Sequence, residues 1–235
     1  VAEIVREGEE EQVDFLPQLF IGRNDVRMEF KLGRERYYVV KDLVAFAQAV
    51  SHGTYVEYGK ELAFHHSVEV FTKRSQPLVE LVVELMNTYQ ENYQQFQKNA
   101  VSAAPSVRRL TLGRGSRDRA MEGLMGQEVD TEDYRGISRK VTVKSGIPEL
   151  VIAVRRARKE AIKVSVDKKL SSFMGEKYLY LLDGEILYRC DEECSQALAV
   201  FFQQMTQGFG APYEVTVNSK DIPLFYERVL KKLEP

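Results

Sequence analysis

The chain has 235 residues, of which 44% are hydrophobic and 29% charged, with a formal net charge of −2. That length can bury a sizeable core, as one large domain or two small ones. The near-neutral balance excludes a globally basic surface, so nucleic-acid binding would need a local patch, and no apolar run approaches the roughly 20 residues of a membrane span. Cys190 and Cys194 alone make no disulfide framework. The expectation is a reduced, cytoplasmic chain. The absence of an initial Met, and an end just after a predicted helix, favour a segment of a longer protein.

Residues 1–14 read as an acidic lead-in, with Glu3, Glu7, Glu9, Glu10, Glu11 and Asp14 and no signal-peptide pattern. Residues 19–50 form the first strong unit. Val26, Met28 and Phe30 alternate with Arg27, Glu29 and Lys31, the period of a strand with one buried face. Leu32-Gly33-Arg34-Glu35 is the predicted turn, and Tyr37 to Val40 the return strand. Asp42 can cap a helix whose Leu43, Phe46, Ala47 and Val50 fall on one side. A further hairpin is expected over residues 55–71, turning at Gly59-Lys60. Ser75-Gln76-Pro77 opens the longest predicted helix, with Ser75 as its cap and a stripe of Leu78, Val82, Leu85, Met86, Tyr89, Tyr93 and Phe96. It should end between Asn99 and Pro105.

Residues 106–136 read as a connecting region. It is basic at first (Arg108, Arg109, Arg114, Arg117, Arg119), passes through a short helix at 120–126, and becomes an acidic loop over 127–136. Strands resume from Ile137: Val141 and Val143, then Leu150, Ile152 and Val154, then Ile162, Val164 and Val166 after a basic turn at Arg156-Ala157-Arg158-Lys159. Asp183-Gly184 between two apolar strands is a two-residue hairpin signal. Asp191 can cap a helix bearing Leu198, Phe201, Phe202 and Met205. Tyr213, Val215 and Val217 form a strand, and Ser219 or Asp221 starts a last helix with Ile222, Phe225, Val229 and Leu233. The order lacks regular βαβ alternation. The predicted fold is α+β, with largely antiparallel sheets and hairpins and packed helices in two subdomains, 15–105 and 137–235.

No catalytic signature stands out. His65 and His66 are neighbours that a strand would point to opposite faces, so they would not chelate together. Cys190 and Cys194 lack the second pair of ligands that a zinc ribbon needs. Gly113-Arg114-Gly115-Ser116 lacks the lysine of a phosphate loop. No Ser, His and Asp grouping carries a nucleophile pattern. The catalytic, cofactor and metal sets are therefore expected to be empty. Two arginine clusters remain as candidate nucleic-acid contacts, because guanidinium groups bond phosphate oxygens in pairs: Arg108, Arg109, Arg114, Arg117 and Arg119, and Arg155, Arg156, Arg158 and Lys159, with Lys163, Lys168 and Lys169 beyond. The plain alternative is that these are ordinary charged, solvated turns.

One resemblance covers most of residues 15–235. Leu19-Phe20-Ile21-Gly22, Tyr37 to Asp42, Phe46, Tyr58-Gly59-Lys60-Glu61-Leu62 and His65 are similar to the helicase-associated domain of bacterial Swi/Snf-type ATPases. So are Ile147-Pro148, the Tyr178–Tyr188 hairpin, and the strand and helix of residues 213–233. Glu61 and Leu62 depart from the lysine and phenylalanine usual in that family, and residues 108–136 have no counterpart in its pattern. The resemblance implies a non-catalytic accessory domain that lies N-terminal to a DNA-stimulated motor and positions DNA or regulates that motor. Its partners would be the ATPase part of the same polypeptide and duplex DNA, with no membrane, and ATP and magnesium would belong to the motor alone. The alternatives are a free-standing nucleic-acid-binding protein that uses the arginine clusters and, from a different class, a small-molecule enzyme with a deep pocket.

Overall fold

The computed structural model describes residues 12–96, 104–158, 160–168, 170–205 and 214–232. The chain begins with a hairpin, β1 (Asp14–Ile21) and β2 (Val26–Gly33). Its register sets Phe15 beside Leu32, Leu19 beside Met28 and Ile21 beside Val26, so one face of both strands is buried, with Pro17 alone half-buried on it. Gly33 permits the next turn, since a Cβ there would lie 2.0 Å from the Arg36 carbonyl oxygen. β3 (Tyr37–Val39) then pairs back onto β2.

Helix α1 (Leu43–His52) starts where expected. The Asp42 carboxylate accepts the amides of Val44 and Ala45 at 2.9 and 3.2 Å, and Gly53 ends the helix at φ 66°. α1 brings Phe46 against the hairpin. Phe15 stacks between Phe30 and Phe46 at 4.5 and 4.9 Å, with Phe71 edge-on. A small ladder of β4 (Tyr55–Glu57) and β5 (Ala63–His65) follows. α2 (Gln76–Phe96) buries Leu78, Val79, Leu81, Val82 and Met86 in its first half, while Phe96 at its end is 90% exposed. The Ser75 hydroxyl accepts the Phe15 amide at 2.9 Å and so ties the helix start to β1. The helix end is expected between Asn99 and Pro105, and residues 97–103 lie outside the described residues.

The connecting region differs from expectation in two ways. Its helix, α3 (Arg114–Gly123), starts earlier, after the short β6 (Leu110–Thr111). The acidic stretch expected to be a loop contains a strand, β7 (Glu128–Asp133), in which Val129, Thr131 and Asp133 are buried while Glu128 and Asp130 are exposed and Glu132 is half-buried. Its polar composition concealed a period of two. β7 runs parallel to β1 and antiparallel to β8 (Ser138–Ser145). β8 pairs in parallel with β13 (Ile186–Arg189). β11 (Ser171–Met174) and β12 (Leu179–Asp183) complete the row. The result is a nine-stranded, mostly antiparallel sheet in the order β11-β12-β13-β8-β7-β1-β2-β3, with β6 on β2. Strands from both sides of residues 106–136 share it.

A separate sheet has the order β14-β10-β9, from β9 (Ile152–Arg156), β10 (Ala161–Val166) and β14 (Glu214–Asn218). β9 extends through Arg155 and Arg156, so the basic turn is shorter than expected. Val164, Val166 and Val217 pack on Phe225 of the last helix, α5 (Ile222–Arg228), and on Val229 just after it; a 3-10 turn at Ser219–Asp221 precedes α5. α5 is shorter than the sequence implied, and Leu233 lies outside the described residues, as does Tyr213. Helix α4 (Glu192–Met205) covers β12 through Leu198, Cys194 and Leu181, and Asp191 accepts the Cys194 amide at its start. The side chains of Phe201, Phe202 and Met205 lie outside the described part. The architecture is α+β. Among the described residues, no helix is long and apolar enough to cross a membrane.

Candidate nucleic-acid interface

The fold treats the two arginine clusters differently. In the first, Arg108 and Arg109 converge on one carboxylate, Glu29 of β2, at 3.4 and 2.7 Å. The Arg109 guanidinium also lies 4.3 Å from the centre of the Phe20 ring. Arg117 is turned inward and donates to the carbonyls of Leu112 and Met174 at 3.1 and 2.8 Å. Burial first, and then the charge of Arg114, lower its pKa. Arg119 forms a two-pronged pair with Glu84 of α2 at 2.6 and 2.7 Å. Four of the five are therefore held by acceptors within the chain. Arg114 is exposed and makes no ion pair among the described residues.

The second cluster is open. Arg155, Arg156 and Arg158 are exposed, and none forms an ion pair among the described residues. Lys159 and Lys169 lie outside the described residues. Lys163 pairs with Glu214 and Lys168 with Asp183, both at 2.6 Å. Among the described residues β9 is an edge strand, paired with β10 and with no other strand. Arg155 lies opposite Lys163 and Arg156 opposite Ile162, so consecutive guanidinium groups leave the strand toward opposite faces of the sheet. Val151 and Val154, 57% and 52% exposed, add apolar surface. The turn to β10 passes through Glu160 at φ 54°. The strip can present three uncompensated forked donors along one edge, as phosphate contact requires.

The other polar groups serve the fold. Asp133 is fully buried and accepts from Arg135, Arg139 and the amides of Arg135 and Ile137. Burial alone would raise its pKa, but these hydrogen bonds outweigh that and hold it below the usual range. Asp118 accepts the amides of Glu176 and Lys177 and the Tyr180 hydroxyl at 2.8–2.9 Å. It borders a cleft of about 500 Å³ with Glu84, Glu122 and Tyr178, but its carboxylate is committed to the turn beside Gly175. His66 is buried in an aromatic cluster with its Nε2 2.6 Å from the Tyr58 hydroxyl, while His65 faces solvent. Burial pushes the Cys190 thiol up to about 12. Among the described residues, no three His, Cys, Asp or Glu side chains gather as metal ligands would.

Comparison with curated proteins and with solved structures gives no match. A family model described as bacterial SNF2 helicase associated matches residues 108–235. The matched span runs from β6 to the end of the chain, so it includes both arginine clusters, the small sheet and residues 108–136, for which the resemblance offered no counterpart. The residues of β1 to β5 that carry half of the sequence resemblance lie outside it. More than half of the chain is covered, and it belongs to the bacterial SNF2 helicase-associated family, an accessory region of Swi/Snf-type helicases.

Proposed function

We propose that this chain is a DNA-contacting accessory module of a Swi/Snf-type, DNA-dependent ATPase, and that the β9 edge supplies the phosphate contacts. The observation that carries the reading is the contrast between the clusters. Arg108, Arg109 and Arg119 are already neutralised by Glu29 and Glu84, whereas Arg155, Arg156 and Arg158 leave a bare cationic edge. A guanidinium that must first break an internal pair gains little by turning to phosphate, while an unpaired one gains the full contact and releases a counterion. ATP and magnesium would be handled by the motor part of the polypeptide.

The test is fluorescence anisotropy of labelled duplex DNA over a salt series. The triple variant R155E/R156E/R158E should bind more weakly and flatten the slope of log K against log salt by about 2.7, at about 0.9 per phosphate contact. R108E/R109E should leave the slope close to that of the parent chain. Absence of binding by the parent chain at low salt, or a triple variant with an unchanged slope, would remove β9 from the reading and favour regulation of the motor through protein contacts.

A further inference from the structure

The small sheet has a second open edge, and it differs from the first. β14 is hydrogen-bonded to β10 on one side, and among the described residues no strand pairs with its other side. An unpaired strand edge is a template for another chain, and proteins commonly guard such edges with cations. β9 carries Arg155 and Arg156, with Arg158 in the turn just beyond it. β14 carries no free charge: Glu214 is spent on Lys163, and Thr216 and Asn218 are neutral.

A groove of about 360 Å³ lies between β14 and the last helix. Residues 215–218 all line it, although consecutive strand residues point to opposite faces. A groove at the open edge accounts for this, because a strand edge presents the backbone of every residue along it. Its other wall is a stripe running from Asp221, just before α5, through Leu224, Phe225 and Arg228 of α5 to Val229, just after it, at the i, i+3, i+4, i+7, i+8 spacing of a helix face. Phe225 and Val229 are buried beneath it, and Leu224 is 53% exposed. The two charges stand at opposite ends of that stripe. Asp221 is the residue before α5, yet it makes no side-chain capping bond. Neither Asp221 nor Arg228 forms an ion pair among the described residues.

We infer that this groove binds an extended peptide by strand addition to β14, and that its ligand carries a basic, an apolar and an acidic side chain at alternate positions. The charge order follows from the wall. Seven residues of helix span about 10.5 Å, and three alternate residues of a strand span about 13 Å, a difference that flexible charged side chains absorb. The basic residue meets Asp221, the apolar one packs on Leu224 and Phe225, and the acidic one meets Arg228. Backbone pairing supplies affinity and the alternate side chains supply the choice of sequence.

The probes are two fluorescein-labelled heptapeptides, Ser-Lys-Thr-Val-Thr-Glu-Ser and Ser-Glu-Thr-Val-Thr-Lys-Ser, titrated against the whole chain. The two orders correspond to the two strand directions. One should bind, with the other weaker by about tenfold or more. The exchange D221K/R228E should reverse that preference. N-methylation at the peptide's central valine or an adjacent threonine should abolish binding to the unaltered chain, which reads backbone pairing without relying on any variant. Failure of both peptides to bind at about 1 mM, or equal binding that ignores the D221K/R228E exchange, would overturn the inference. So would a chain that self-associates in sedimentation and loses that association in L224D, since a second copy would then occupy the edge. DNA anisotropy of the β9 variants is a separate readout, so failure of phosphate contact and failure of peptide capture are distinguishable.

Discussion

Asp133 shows at the scale of one side chain how this fold spends its charges. Its carboxylate is inaccessible to solvent and is bonded by Arg135 and Arg139 at 2.7 and 3.1 Å. Asp133→Asn keeps the shape but leaves both guanidinium groups facing a neutral amide. It should cost about 2 kcal/mol in urea unfolding, below the usual cost of breaking a buried pair because both arginines reach water. The pH dependence has a defined sign. The folded carboxyl titrates below its ordinary range, so the unfolded chain takes up a proton first. The stability it contributes is full above the ordinary aspartate value and is lost as pH falls through the folded value. The parent chain should therefore lose more stability than D133N between about pH 4 and pH 2. Parallel acid curves for the two would refute this role. None of it was legible in the sequence, where Asp133 stood in a run of acids. Partners six residues along can be guessed. Glu29, which neutralises Arg108 and Arg109 from 79 and 80 residues away, cannot. Charge compensation is a long-range property, which is why both arginine clusters read alike before the fold was known.

Elements were legible where local chemistry decides them. Asp42 and Gly53 bracket α1 by side-chain capping and a left-handed end, and Asp183-Gly184 turns β12 into β13 with Gly184 at φ 59°. β7 was not legible, because its buried face includes Thr131 and Asp133 and reads as polar. The β9–β10 hairpin offers a prediction at this scale. Glu160 holds a left-handed backbone, which costs an L residue about 1–2 kcal/mol relative to the right-handed region. Glu160→Gly should stabilise the chain by about 0.5–1 kcal/mol, after the extra entropy of glycine in the unfolded state. The same change removes the acid at the tip between Arg158 and β10. If β9 contacts phosphate, DNA affinity should rise with stability rather than fall. A variant that is more stable but binds DNA less well would mean that this hairpin does not contact phosphate through its arginines.

Across the whole molecule, the apolar interior is divided unequally. One continuous core runs from Val13 to Leu187 and joins β1, β2, β7, β8, β12 and β13 to α1, α2 and α3. The parallel joints β1–β7 and β8–β13 lock distant parts of the chain into that one sheet. The small sheet instead rests on a separate cluster of five buried residues, Val164, Val166, Val217, Phe225 and Val229. A unit with fewer buried apolar contacts opens at lower free energy than the core it adjoins. In native-state hydrogen exchange, the amides of β9, β10 and β14 should therefore exchange through an opening cheaper than global unfolding, while those of β1, β2 and β7 should need the whole structure to open. The two candidate surfaces, the β9 edge and the β14 groove, both belong to this weaker unit. Ligands that bind them must stabilise it in proportion to their affinity. Duplex DNA should slow exchange in β9 and β10, and a peptide in the groove should protect β14. Equal protection across both sheets without ligand would mean that the small sheet is as firmly held as the core, and its edges would then act as rigid docking surfaces rather than as elements that ligands tighten.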